Sequence, residues 1–240
     1  MASLVAAVAL IAVAGTASAA TTLGQTDPAA PAGYACGSPT AYLQSAVAAG
    51  SPSYTVPAGG GVITSWSTQA NANANKDAEL KVFAAIGTPG SYLVRGQEGP
   101  HVLGASVLNT FPAQVPVEAG DILGLYHGTI GTACGFDGMP GDTTSSIFGA
   151  TPDPPVGSTY IPTMNDTSFR VNISAQLEPD CDKDGLGDET QDADTASCNP
   201  VSVTGQRAAA LKKCKQRAKK KGWTKKKLRK CKKKAKLLPV

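Results

Sequence analysis

Asp180, Asp182 and Asp184 stand at alternate positions, Gly185 follows at once, and Asp188 comes three residues later. Counted from Asp180, carboxylates fall at loop positions 1, 3, 5 and 9, with glycine at 6 and the carbonyl of Leu186 at 7. That register lets one turn of chain aim several oxygens at one centre, which a hard cation with about six to eight oxygen ligands requires. The glycine supplies the sharp bend. The spacing predicts a calcium site with Asp180, Asp182, Asp184, the Leu186 carbonyl and Asp188 as ligands, the last directly or through water. Position 12, where an EF-hand closes on the ion with a carboxylate, holds Gln191, and Asp192 comes one place later. The expected affinity is that of an extracellular module, about 10⁻⁴ to 10⁻³ M. The competing reading of the same residues is a solvated acidic linker.

A second chemistry is carried by charge alone. Residues 205–240 hold 17 of the 22 Lys and Arg and no Asp or Glu, whereas all 18 acidic residues precede them. The net charge of +4 therefore sums two opposed blocks and describes neither. A dense polycation binds polyanions by releasing their counterions, strongly at low salt, weakly at high salt and without regard to sequence. The groups concerned are Lys212, Lys213, Lys215, Arg217, Lys219, Lys220, Lys221, Lys225, Lys226, Lys227, Arg229, Lys230, Lys232, Lys233, Lys234 and Lys236. Their expected partners are anionic cell-wall polymers, an anionic lipid surface or extracellular nucleic acid. The competing readings are a solubility tail, or one neutralised by the acidic remainder of the chain.

The tail is also a duplication. Leu211, Cys214 and Ala218 recur as Leu228, Cys231 and Ala235, each set spaced i, i+3, i+7 on one face of a helix. Gly222-Trp223-Thr224 lies between them, with Gly suited to end one helix and Thr to cap the next. Folded antiparallel about that joint, Leu211 meets Ala235, Cys214 meets Cys231 and Ala218 meets Leu228. The sequence thus predicts a short disulfide-linked helical hairpin. Its apolar face is too narrow to favour membrane insertion. A cross-link over so short a loop contributes about 3 kcal/mol, enough to decide whether lysine-rich helices stay together.

Catalytic signatures are sparse. No GxSxG elbow, HExxH helix, phosphate-binding loop or dinucleotide fingerprint occurs. Glu79, Glu98, Glu118 and Asp121 are scattered rather than paired as a glycosidase needs. His101 and His127 are the only histidines, and no CxxC pair exists to hold zinc. The reading is non-catalytic. An exported hydrolase is a remote alternative, which would act through His127.

The elements around these residues divide by composition. Residues 1–19 are an uncharged apolar run ending Ala17-Ser18-Ala19, the pattern of a cleaved secretory signal peptide. No other stretch approaches spanning length, so no transmembrane segment is expected after processing. Residues 20–33 are rich in Ala, Pro and Thr and read as a flexible lead. Residues 34–178 alternate short β-prone runs with Gly, Pro, Asn and Asp clusters, which predicts an all-β sandwich or jelly roll. Phe169 to Leu177 is its cleanest strand, apolar on one face and wet on the other. The Gly/Pro-rich stretch Gly135 to Pro162 reads either as a binding loop or as a surface excursion. Trp66 is expected in the core, with a sugar-stacking platform as the alternative. Residues 179–204 form the acidic loop and linker, and 205–240 the hairpin. The six cysteines fit an exported protein and favour the pairs Cys36–Cys134, Cys181–Cys198 and Cys214–Cys231.

Residues 180–198 resemble a single thrombospondin type 3 repeat, a DxDxDGxxDxxD calcium loop that often carries Gly-Leu-Gly-Asp, here Gly185 to Asp188. The resemblance implies the same ligands: Asp180, Asp182, Asp184, the Leu186 carbonyl and Asp188. The tail resembles the Lys/Cys-rich C-terminal ends of secreted bacterial proteins. Together these imply a modular, secreted or envelope-associated protein whose calcium-stabilised loop joins a β-domain to an anionic-polymer anchor. A lectin-like sandwich that binds a glycan is the alternative.

Overall fold

The computed structural model describes residues 20–73, 75–193, 206–221 and 223–235. The proposed signal peptide, Cys198 and Lys236 lie outside them. Two units are present, residues 1–194 and 195–240.

The first unit is mostly β. Short runs rich in β-branched and aromatic residues become strands because their side chains fill a pleated, half-buried surface, and the Gly and Pro clusters end them. In chain order these are β1 (Thr21–Gln25), β2 (Thr40–Ala46), β3 (Gly61–Gln69), β4 (Lys76–Ala85), β5 (Tyr92–Leu103), β6 (Leu108–Val117) and β7 (Ile122–His127). They are followed by β8 (Gly135–Asp137), β9 (Thr143–Ser146), β10 (Thr159–Tyr160), β11 (Met164–Asp166), β12 (Phe169–Val171) and β13 (Ile173–Glu178). One sheet runs β1-β13-β3-β6, a larger one β10-β5-β4-β7-β2-β9-β11, and β12 pairs with β8. The strand pairings are antiparallel.

One buried cluster joins Ile63, Trp66, Val115, Ile173 and Leu177 of the smaller sheet to Leu80, Val82, Leu123 and Leu125 of the larger. Strand β4 is buried on both faces. Its Phe83 enters a second cluster with Leu43, Val94, Ile122 and Tyr160. The Gly135–Pro162 stretch is no loose excursion: it supplies β8, β9 and β10 and delivers Tyr160 to that cluster. It also accommodates a buried lysine. The Lys81 ammonium, out of solvent, meets Glu79 at 3.0 Å, Gln97 at 2.9 Å and Asp153 at 2.5 Å. Burying such a charge is tolerable only because Glu79, Gln97 and the Pro154 carbonyl accept from it and Asp153 balances its charge.

Three expectations are corrected. The supposed flexible lead contributes β1, paired along its length to β13, with Leu23 in the core. The single clean strand Phe169 to Leu177 is broken at Asn172 into β12 and β13, which belong to different sheets. Asn172 is fully buried because its amide serves the chain as a clamp: it accepts from the Asp27 and Gln69 N–H groups and donates to the Gln69 and Ala133 carbonyls. The face expected to be wet also carries Arg170, buried in a bidentate pair with Asp142 at 2.7 Å. Alternation alone cannot distinguish solvent from a buried polar network. Trp66 is in the core and its indole N–H donates to Glu98, so it offers no platform for a sugar.

The Cys36–Cys134 disulfide is formed across 98 residues, with Cα atoms 5.9 Å apart. In the chain-entropy view such a closure contributes about 4 kcal/mol. The second unit consists of α1 (Gln206–Lys221) and α2 (Lys225–Ala235), packed on each other and joined by the Cys214–Cys231 disulfide.

Candidate functional site

The acidic loop does not hang free from the β-rich unit. Glu178, at the end of β13, is buried and accepts four hydrogen bonds: from the Glu189 and Thr190 N–H groups at 2.9 Å, and from the Thr190 and Thr64 hydroxyls at 2.7 and 3.0 Å. Burial by itself would raise its pKa, but those four donors outweigh it and hold the carboxyl below the ordinary glutamate value. Gly187 lies against this knot. A side chain there would run into the Glu178 carboxylate and the Thr64 methyl. Gln114 donates to the Gly185 carbonyl, and Gln191 donates to the Ala113 carbonyl at 2.7 Å while accepting from the Gly187 N–H. Gln191, at loop position 12, is therefore a tether to β6. The stretch expected as a linker is, through residue 193, part of the β-rich unit.

Within the loop the backbone folds onto its own carboxylates. Asp180 accepts from the Asp184 and Gly185 N–H groups at 3.1 and 3.2 Å, Asp184 from Leu186 at 2.8 Å, and Asp188 from Cys181 at 3.2 Å. Gly185 makes the bend at φ 87°, where a Cβ would be strained. Oxygens of Asp180, Asp182 and Asp188 come within 4.8 Å of one another, and so do those of Asp182, Asp184 and Asp192. The structure thus divides the expected ligands into two adjoining groups that share Asp182. Leu186 follows the bend, with its N–H held by Asp184.

The electrostatics of the loop are those of crowded anions. Burial raises the Asp188 pKa; the Cys181 N–H opposes this, and the charges of Asp180, Asp182 and Asp192 add to the rise. Its Oδ1 is a buried atom with no hydrogen-bond partner among the described residues. A hard divalent cation fits this donor set: it would take the orphaned oxygen and offset the mutual repulsion. Asp192 was not among the predicted ligands. The signal for it was its place beside a non-acidic position 12.

The basic hairpin follows the helical register read from the sequence. Cys214 and Ala235 are buried, and Leu211, Ala218 and Leu228 are half-buried. The Cys214 and Cys231 Cα atoms lie 5.9 Å apart. The Trp223 N–H donates to the Ala218 carbonyl at 3.1 Å, and the Thr224 carbonyl receives the Lys227 and Leu228 N–H groups. That opens α2 as a cap should. The Lys227 ammonium sits 5.4 Å over the Trp223 ring. Lys212, Lys213, Lys215, Arg217, Lys220, Lys227, Arg229, Lys230, Lys233 and Lys234 are exposed, and Lys232 is half-buried. Lys219, Lys221, Lys225 and Lys226 fall within the helices, with side chains outside the described set.

The two histidines sit in different surroundings. His127 is fully buried, stacked on Tyr42, with Nδ1 donating to the Thr129 carbonyl at 3.0 Å. Burial lowers its pKa, the Thr129 bond and Asp77 opposing. An external substrate cannot reach it without rearrangement. His101 stacks on Phe111 with ring centroids 4.1 Å apart, and its Nε2 is held by Glu98. Cys181 is disulfide-bonded, and Cys198, its expected partner, lies outside the described residues.

No protein-family model, curated protein or solved structure matches this chain. Among the described residues, no helix is long and apolar enough to cross a membrane.

Proposed function

We propose that this chain is an exported, non-catalytic protein that attaches to anionic surface polymers through its basic hairpin. Its acidic loop binds calcium beneath a β-sandwich of jelly-roll type that is left free for display. The observation that carries this reading is the Cys214–Cys231 bond. Two helices so rich in lysine repel each other and share only a few small apolar side chains. A covalent bond at their midpoint is what keeps the cations concentrated on one small surface. Counterion release from a bound polyanion then drives attachment.

Calcium binding is supported by the convergence of Asp180, Asp182 and Asp188 and by the orphaned Asp188 oxygen. The ion's role in this reading is structural. The loop is already pinned by Glu178 and Gln191, so chelation should loosen residues 180–193 and leave the β-sheets folded. The sandwich reading is supported by one core shared between two antiparallel sheets.

The test is retention on isolated wall fragments and on anionic lipid vesicles, comparing the full chain with one lacking residues 205–240. The full chain should bind at low salt, and the shortened chain should not. Equal retention would defeat the proposal.

A further inference from the structure

At the β9–β11 edge of the larger sheet lies an open cleft of about 310 Å³, at the lower end of the size of small-molecule sites. Its lining comes from the segment before β2, from β2, β9, β11 and β12, and from the turn after β9. Neither the acidic loop nor the basic hairpin contributes, so nothing here depends on the function proposed above.

Its lining combines two kinds of surface. One is aromatic. The Phe148 ring is 78% exposed, and Tyr34, 41% exposed, leans on Phe169 with ring centroids 5.3 Å apart. That exposed aromatic surface belongs to the lining of the cleft, where a ring can stack on a guest. The other is polar and unspent. The hydroxyls of Tyr34, Tyr42, Ser38 and Ser146 have no hydrogen-bond partner among the described residues. Asp166 uses only Oδ1, accepting from the N–H and hydroxyl of Ser168 at 2.8 Å, and its Oδ2 has no partner among them. Burial and the neighbouring Tyr34 push the Tyr42 pKa up to about 12, so its phenol keeps a proton to donate. Asp166 is the one charged residue of the lining, which includes no Lys, Arg or His.

These features select among ligands. An apolar guest would strip water from unpaired hydroxyls and a carboxylate, at about 1–3 kcal/mol for each group left unsatisfied. An anionic guest would meet Asp166 with no cation to offset it. What remains is a neutral molecule with one apolar face and a rim of hydroxyls. A sugar ring has that form: its C–H face stacks on an aromatic ring, and its hydroxyls both donate and accept. We infer that this cleft binds an uncharged saccharide, stacked on Phe148 and hydrogen-bonded through Tyr42, Ser146 and Asp166.

The test uses the full chain and calorimetric titration with neutral hexose and N-acetylhexosamine oligosaccharides and their uronate counterparts. High salt silences the basic tail. At least one neutral oligosaccharide should bind at millimolar concentration or below, and Phe148→Ala should weaken it about tenfold or more. Phe148 is exposed, so that variant should fold. Ser146→Ala should weaken the same ligand, and Asp166→Asn, which keeps an acceptor for Ser168, should admit the matching uronate. Failure of every neutral oligosaccharide to bind overturns the inference. So does binding indifferent to Phe148→Ala, preference for uronates by the unaltered protein, or uptake of an apolar dye that Phe148→Ala abolishes.

Discussion

In the β-rich unit Arg170 and Asp142 lie buried face to face, whereas in the helical unit Lys and Arg side chains point outward around a single disulfide. Burial alone would raise the Asp142 pKa, but Arg170 and the N–H groups of Met139 and Ala48 more than compensate and keep the carboxyl ionised. The first unit can hold charges inside because a large core and a complete set of partners surround them. The second has almost no core. It can only point its cations outward and resist their repulsion with a covalent bond. Stability in one unit is distributed, and in the other it rests on a single link.

Four perturbations would break or sharpen that contrast. The largest effect is expected from Arg170→Met, which leaves Asp142 buried and unpaired. The β-rich unit should lose about 3–5 kcal/mol in denaturant unfolding, with the helical circular-dichroism signal unmoved. Next, Cys214→Ser with Cys231→Ser removes about 3 kcal/mol from a hairpin with little else to hold it. Helicity should vanish while the β-rich unit melts as before. A hairpin that stays helical without the bond would refute the single-link account.

Calcium at about tenfold over its dissociation constant should stabilise only the β-rich unit, by about 1.4 kcal/mol or a few degrees of melting temperature. Asp188→Asn should abolish that response. The smallest effect concerns His127. Its folded pKa lies below the unfolded value of about 6.5, so the unfolded chain takes up more protons in the interval between them. Stability is therefore full above about pH 6.5 and declines as pH falls through that interval. Part of the slope should disappear in His127→Phe, measured by denaturant midpoint against pH.

The sequence was most legible where one local pattern decides the outcome. The i, i+3, i+7 repeat of Leu, Cys and Ala placed both helices and their cross-link, because the lysines leave no other face to bury. The Asp-x-Asp-x-Asp-Gly register located the bend at Gly185. Legibility failed where long-range partners decide. Nothing local in Thr21–Gln25 announces that it pairs with β13, Thr21 opposite Leu177 and Gln25 opposite Ile173, far beyond any short window of sequence. Arg170 and Asn172 look solvent-facing by alternation, yet their partners at Asp142, Gln69 and Ala133 turn that face inward. The role of Gln191 as a tether to Ala113 was hidden for the same reason.

The central claim is that the cross-linked cationic hairpin attaches the protein by counterion release. Its most direct test is the affinity of the full chain for one purified anionic wall polymer, measured across a series of salt concentrations. The logarithm of the binding constant should fall linearly with the logarithm of salt, with a slope of about −4 or steeper, and deletion of residues 205–240 should remove both the binding and the slope. Affinity that does not change with salt, or that survives the deletion, would contradict the claim.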